Sequence, residues 1–198
     1  MSEPTRREFV AVVGTVAATG AGAVVAAEPA KPAKPADVPK PTEAAFERDY
    51  DSPKFNPGWK KPQINRLLVQ DFVIYAHSDL AMVKKLIEKE PALLNAAMDW
   101  GAGDWETALG AASHIGKRDI AEFLIERGAR VDLFAATMLG QLEVVKGLLK
   151  LQPKLIDAKG PHGFNLHWHA KAGGKLAEPT LEYLQSVKKV EFATPKKS

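Results

Sequence analysis

Two short stretches of this chain concentrate side chains capable of chemistry. The first, Gly160-Pro161-His162-Gly163-Phe164-Asn165-Leu166-His167-Trp168-His169, holds three of the five histidines. Imidazole is the commonest protein ligand for metals and titrates nearest neutral pH. His167 and His169 are two positions apart, so on a helix they diverge by about 200° and share a face only in extended backbone. Zinc wants ligands converging at about 2 Å. His162 and His169 would therefore need a third group, for which His114, from a neighbouring helix, is the candidate. The competing expectation is structural, with His167 in a turn bonded to backbone and His169 on an exposed helix face. The second stretch, Met98-Asp99-Trp100-Gly101-Ala102-Gly103-Asp104-Trp105-Glu106, packs two Trp, three acids and two Gly into nine residues. Asp99, Asp104 and Glu106 could supply an acid and a base if the segment closed around a substrate. Trp is also the residue most enriched at interface hot spots. Asp99, Trp100, Asp104, Trp105 and Glu106, with His114, Met138 and His169 on neighbouring helices, are accordingly expected to form a partner-binding surface. Either Trp could instead fold back as hydrophobic cover.

Other chemistries find little support. Ser78 and Ser113 adjoin His77 and His114, but adjacent helical residues face different directions and no nucleophile elbow surrounds them. Gly101-Ala102-Gly103-Asp104 is an isolated Gly-rich run, without the strand that a phosphate loop follows. The chain has no cysteine, which excludes disulfides and thiolate metal sites and leaves the redox compartment open. Net charge is +3, and no run combines clustered Arg with stacking aromatics, so nucleic acid is not an expected partner. With 45% apolar and 26% charged residues over 198 positions, the composition suits one globular domain with flanking segments.

The elements that must position these residues repeat along the chain. Met82-Val83-Lys84-Lys85-Leu86-Ile87, Ile120-Ala121-Glu122-Phe123-Leu124-Ile125 and Val144-Val145-Lys146-Gly147-Leu148-Leu149 share one pattern of paired apolar positions, a stripe along a helix. Each follows a small turn residue (Ser78, Gly116, Gly140), and each turn follows another short helical pattern, around Phe72, Ala111 and Ala136. A fourth unit runs from Gly163 through the turn at Gly173-Gly174 to Pro179-Thr180-Leu181-Glu182-Tyr183-Leu184, with Pro near a helix start, where its missing N–H costs little.

Asp104-Trp105-Glu106-Thr107-Ala108-Leu109-Gly110-Ala111-Ala112 and Leu124-Ile125-Glu126-Arg127-Gly128-Ala129 resemble the opening and closing patterns of the ankyrin-repeat family. Ala108 stands where that family usually has Pro, and Gly110 where it has His. The resemblance spans about residues 64–187, is strongest in the second unit, and implies stacked helical hairpins that bind proteins through loop tips and inner helices. Turn residues at 78, 116, 140 and 174 space the units by 38, 24 and 34 residues, against a usual period of about 33. The short step leaves no room for a projecting hairpin between the second and third units, and the long step leaves an excursion over residues 95–106. The expected fold is all-α, an ankyrin-like solenoid of about four helix-turn-helix units with irregular loops.

Ahead of the repeats, Thr5-Arg6-Arg7-Glu8-Phe9-Val10 and the apolar, Ala/Gly-rich run to Ala27 read as an export signal over residues 1–27 and resemble a twin-arginine signal. That resemblance implies transport of an already folded protein, a route often used by cofactor-loaded enzymes. Residues 28–42, rich in Pro, Ala and Lys, read as a disordered linker tending to polyproline II. Residues 43–63 carry Phe46, Tyr50, Phe55 and Trp59 among prolines and are expected to lie extended across the first repeat, burying those rings as a cap. The repeat domain then covers 64–190, and 191–198 form a disordered basic tail. The combined expectation is an exported, periplasmic or extracytoplasmic adaptor with a protein partner, no cofactor and no catalysis, membrane-tethered only if its signal is retained. The alternatives are a metal- or carboxylate-dependent enzyme on the same stack and a structural assembly subunit.

Overall fold

The structure, a computed structural model, describes residues 40–55, 58 and 61–192. The segment expected to be an export signal, most of the expected linker, Trp59 and residues 193–198 lie outside the described residues. The described chain is mostly helical, with α1 (Arg66–Tyr75), α2 (Leu80–Lys89), α3 (Ala108–Ile115), α4 (Arg118–Glu126), α5 (Leu133–Met138), α6 (Leu142–Leu151), α7 (Leu166–Ala172) and α8 (Glu178–Val187). A two-stranded antiparallel hairpin, β1 (Ala97–Asp99) and β2 (Trp105–Thr107), precedes α3. None of these helices is long and apolar enough to cross a membrane.

Local chemistry explains where the helices start. Asn65, Asp79, Thr107, Asp132 and Asn165 each accept a hydrogen bond from a backbone N–H in the first turn that follows, which satisfies a donor that the helix itself cannot. Helices α3 and α5 turn into their partners through Gly116 and Gly140, with φ of 78° and 77°. A Cβ on Gly116 would lie 2.2 Å from the carbonyl oxygen of Ala172, and one on Gly140 2.2 Å from that of Leu176. Glycine is therefore required twice over at each turn, by conformation and by space.

The helices pair as α1/α2, α3/α4, α5/α6 and α7/α8, and α1, α3, α5 and α7 pack in sequence along one side. The alanines at the middle of α3 and α5 (Ala111, Ala112, Ala135, Ala136) are fully buried, as close helix approach requires. One hydrophobic core, around Phe72, Val83, Leu93, Ile120 and Leu124, joins the first two pairs. A second, around Val145, Leu149, Leu166 and Leu184, joins the last two. The stack is not linear. Because α5 is only six residues long, α7 packs on α3 as well as on α5, and the Trp168 indole N–H reaches the carbonyl oxygen of His114 at 2.9 Å.

Two expectations are corrected here. The excursion over residues 95–106 is a β-hairpin, not irregular loop, with Met98 opposite Glu106 and both buried. Its turn is closed by the Asp99 carboxylate, which accepts from Gly101 N at 2.9 Å and Gly103 N at 3.2 Å. In the arm ahead of α1, the rings of Phe46, Tyr50 and Phe55 are exposed, not buried against the first repeat.

Candidate metal centre

Four side chains from separate elements meet where the hairpin crosses the ends of α1 and α3. His77 follows the C-terminus of α1, Glu106 lies at the centre of β2, His114 is in the last turn of α3, and His162 sits in the short 3-10 turn Pro161–Gly163. One ligand atom from each lies within 4.8 Å of all the others. Strand alternation sends Glu106 inward between the exposed Trp105 and the half-buried Thr107. Gly110 on α3 makes space for it. A Cβ there would meet Pro161 Cγ at 3.4 Å and Glu106 Cγ at 3.7 Å, so a side chain longer than Ala would push both away.

The outer nitrogens fix the tautomers of two rings. His77 Nδ1 lies 2.9 Å from the Val73 carbonyl oxygen, which can only accept, so Nδ1 carries a proton and Nε2 is the nitrogen left to face the centre. His162 Nδ1 lies 2.8 Å from Asp104 Oδ2, and the His162 backbone N–H donates to Asp104 Oδ1 at 2.8 Å. That bond from the backbone, joined by the imidazole, holds the Asp104 carboxyl below its ordinary range against the opposing effect of burial. The double grip also anchors His162 at φ 57°, a left-handed conformation uncommon outside glycine. A carboxylate or carbonyl on the far nitrogen is the arrangement that orients metal-binding histidines.

At the centre, His77 Nε2 and His114 Nε2 face each other at 3.1 Å. Glu106 Oε1 lies 2.9 Å from His114 Nε2 and 3.7 Å from His77 Nε2. The contact with His114 is close enough for charge attraction yet poorly aligned, and Oε1 has no hydrogen-bond donor. Glu106 Oε2 accepts the Trp100 indole N–H at 2.7 Å, and His162 Nε2 stands 3.4 Å from that same oxygen. Burial by itself would push the Glu106 carboxyl up. The His114 and His77 imidazoles and the Trp100 N–H outweigh it and hold the group below its ordinary range. Ligands at 2.0–2.1 Å in a tetrahedral site are about 3.3 Å from one another, and the triangle His77 Nε2, His114 Nε2 and Glu106 Oε1 has edges of 3.1, 2.9 and 3.7 Å. Two imidazole nitrogens and a carboxylate oxygen at this spacing, the carboxylate side chain with no exposed surface, match the donor spacing of a divalent cation.

Aromatic rings wall the back of the site. Phe164 stacks on His114 (centroids 5.2 Å, 19° between planes), and Trp168 stacks on Phe164 (4.7 Å, 16°). The open side lies at His77 and His162, whose side chains are 27% and 34% exposed. A cavity of about 300 Å³ adjoins the centre behind Asp104 and Pro161, bounded also by Trp105, Phe134 and Lys159.

Compared with family models, with curated proteins and with solved structures, the chain finds no match.

Of the three histidines singled out as metal ligands from sequence, His114 and His162 are brought together and His169 is not. His169 Nδ1 donates to the Asn165 carbonyl oxygen, its Nε2 is buried without a partner, and its ring packs on Phe134. Its burial, contrary to the expected exposed face, depresses its pKa. His167 does bond backbone, through Nε2 to the Lys188 carbonyl oxygen at 2.7 Å. Sequence reasoning did not place His77 or Glu106 among the ligands. Among the residues expected to meet a partner, Glu106, His114, Met138 and His169 are buried, and Asp104 and Trp100 hold His162 and Glu106. Asp99 closes its own turn. Trp105, 61% exposed, stands free at the hairpin edge.

Proposed function

We propose that this protein is an exported metalloprotein, in which His77, Glu106 and His114, with His162 beside them, bind one divalent transition-metal ion on an ankyrin-like stack of helical hairpins. The observation that carries the proposal is the meeting of three imidazole nitrogens and a fully buried carboxylate within 4.8 Å. A donor set of nitrogen and oxygen without thiolate suits zinc, iron(II), copper, nickel or manganese. The support for the ankyrin-like part is the series of capped helical hairpins with left-handed glycines at their turns. The Arg6-Arg7 segment supports export in the folded, loaded state.

The test is direct. Chelator-stripped protein titrated with zinc should take up one ion per chain, and His114→Ala and Glu106→Gln should each abolish stoichiometric uptake. Folded wild type that binds no zinc, cobalt, copper or iron after reconstitution would refute the assignment. A second reading, a protein-binding adaptor, draws on the exposed Trp105 at the hairpin edge. Trp105→Ala bait should then lose partners that wild type captures from the cell envelope, and unchanged recovery would dispose of it.

A further inference from the structure

We infer that the centre is hydrolytic, with three ligands and a bound water, and that His162 is the acid–base partner of that water and not a fourth ligand. This rests on the metal assignment above and deepens it. His77, His114 and Glu106 Oε1 close a triangle of tetrahedral size, whereas His162 faces Oε2, the oxygen already held by the Trp100 indole. An ion seated on the triangle therefore has a two-His, one-carboxylate set with its fourth position open, the composition of catalytic and not structural zinc. His77 and His162 are partly exposed beside the triangle, so water and substrate can enter there. His162 lies on that side with Asp104 on its Nδ1, the orientation in which the far nitrogen of an imidazole exchanges a proton with a water.

The chemistry balances without any further reagent. The water gives one proton to His162 Nε2 as its oxygen bonds to the carbonyl carbon of an ester or amide, and the carbonyl oxygen takes up the electron pair beside the cation. Collapse re-forms the carbonyl, breaks the bond to the leaving oxygen or nitrogen, and returns the proton from His162 to that atom, which yields an acid and an alcohol or amine. Carbonyl substrates fit better than phosphate esters, because among the described residues no Lys or Arg ion-pairs with His77, Glu106, His114, His162 or Asp104, and the adjoining cavity is lined by one cation, Lys159, set against Asp104 and Asp132. Phosphoryl groups call for several such charges closing on them.

The experiment compares wild type, His162→Ala, His162→Gly and His114→Ala, each loaded with zinc or cobalt(II), on p-nitrophenyl acetate and on a p-nitroanilide. His162→Ala should keep one ion per chain and an unchanged cobalt visible spectrum, while His114→Ala loses the ion. With the ion in place, kcat should fall about 10²–10⁴-fold in His162→Ala with KM little changed, and added imidazole should restore part of the rate in His162→Gly. Loss of the ion from His162→Ala would make His162 a ligand and overturn the inference. So would an unchanged rate with the ion retained, or a zinc-loaded wild type no faster than the stripped protein on both substrates. Wild type that binds no ion fails the metal assignment instead, a distinguishable result.

Discussion

Glu106→Gln separates the carboxylate's role at the ion from its role in the fold. The substitution keeps the side-chain volume and leaves an amide oxygen to accept the Trp100 indole N–H, now made by Glu106 Oε2. It removes a negative charge that sits with no exposure among imidazoles. Without metal, exchanging a carboxylate that the His114 and His77 imidazoles hold ionised for an isosteric amide that keeps the Trp100 hydrogen bond should cost about 1–2 kcal/mol. With metal the outcome differs. An ion bound only by the native state stabilises by RT ln(1 + [L]/Kd), about 2.7 kcal/mol at a free concentration 100 times Kd. For a domain of this size that corresponds to a rise in Tm of about 5–15 °C. Losing the one anionic ligand should weaken binding by about 10³-fold, so the same free zinc then lies well below Kd and adds less than about 0.1 kcal/mol. The assay is thermal unfolding followed by circular dichroism, for both proteins, stripped and at buffered free zinc. The stripped variant should melt a few degrees below stripped wild type, and only wild type should shift with zinc. Equal zinc shifts in both would refute the placement of the ion. A stripped variant that melts far below stripped wild type would show the carboxylate to be a structural group.

Three further outcomes follow from the same coordinates. Gly116→Ala puts a Cβ 2.2 Å from the Ala172 carbonyl oxygen in a left-handed turn, so urea unfolding should show a loss of about 2 kcal/mol or more, and an unchanged midpoint would count against the α3–α7 contact. Trp100→Phe deletes the donor to Glu106 Oε2 and should weaken zinc binding about 10–100-fold in a competition titration, while Trp105→Ala, at an exposed position, should leave it unchanged. Burial lowers the pKa of His169 from its ordinary 6.5, so below that pH the unfolded chain takes up a proton before the folded one does. The stability His169 supports is complete above about pH 6.5 and is lost as pH falls toward its folded pKa. His169→Gln should flatten that part of the stability–pH curve, and an unaltered slope would assign the loss to another group.

The hairpins were legible from the chain because each repeats its signal, an apolar stripe behind a small turn residue such as Gly116 or Gly140. The caps at Asn65, Asp79, Thr107, Asp132 and Asn165 came to light with the structure. The strands were not legible. Three residues each, they are too short for alternation to stand out, and a Gly-Ala-Gly turn reads equally well as loop. The centre was half visible. His162 was marked because His167 and His169 lie near it in sequence, and His114 because the repeats place it on a neighbouring helix, whereas His77 and Glu106 join them only through tertiary contact across 37 and 56 positions. A residue pattern can show that histidines cluster along the chain; it cannot show which helix ends the hairpin will bridge. His169 was misassigned for the same reason. Its partner is Phe134 from the neighbouring helix, and nothing local says that α7 buries that side.

The curl that lays α7 over α3 sets this molecule apart from arrays whose end units can be trimmed away. Phe164 and Trp168 form the rear wall of His114 and clasp its backbone, so truncation before the fourth pair would unseat a residue near the middle of the chain. The terminal pair thus serves as a keystone, and the domain should unfold in one step where an open modular array would fray from its ends.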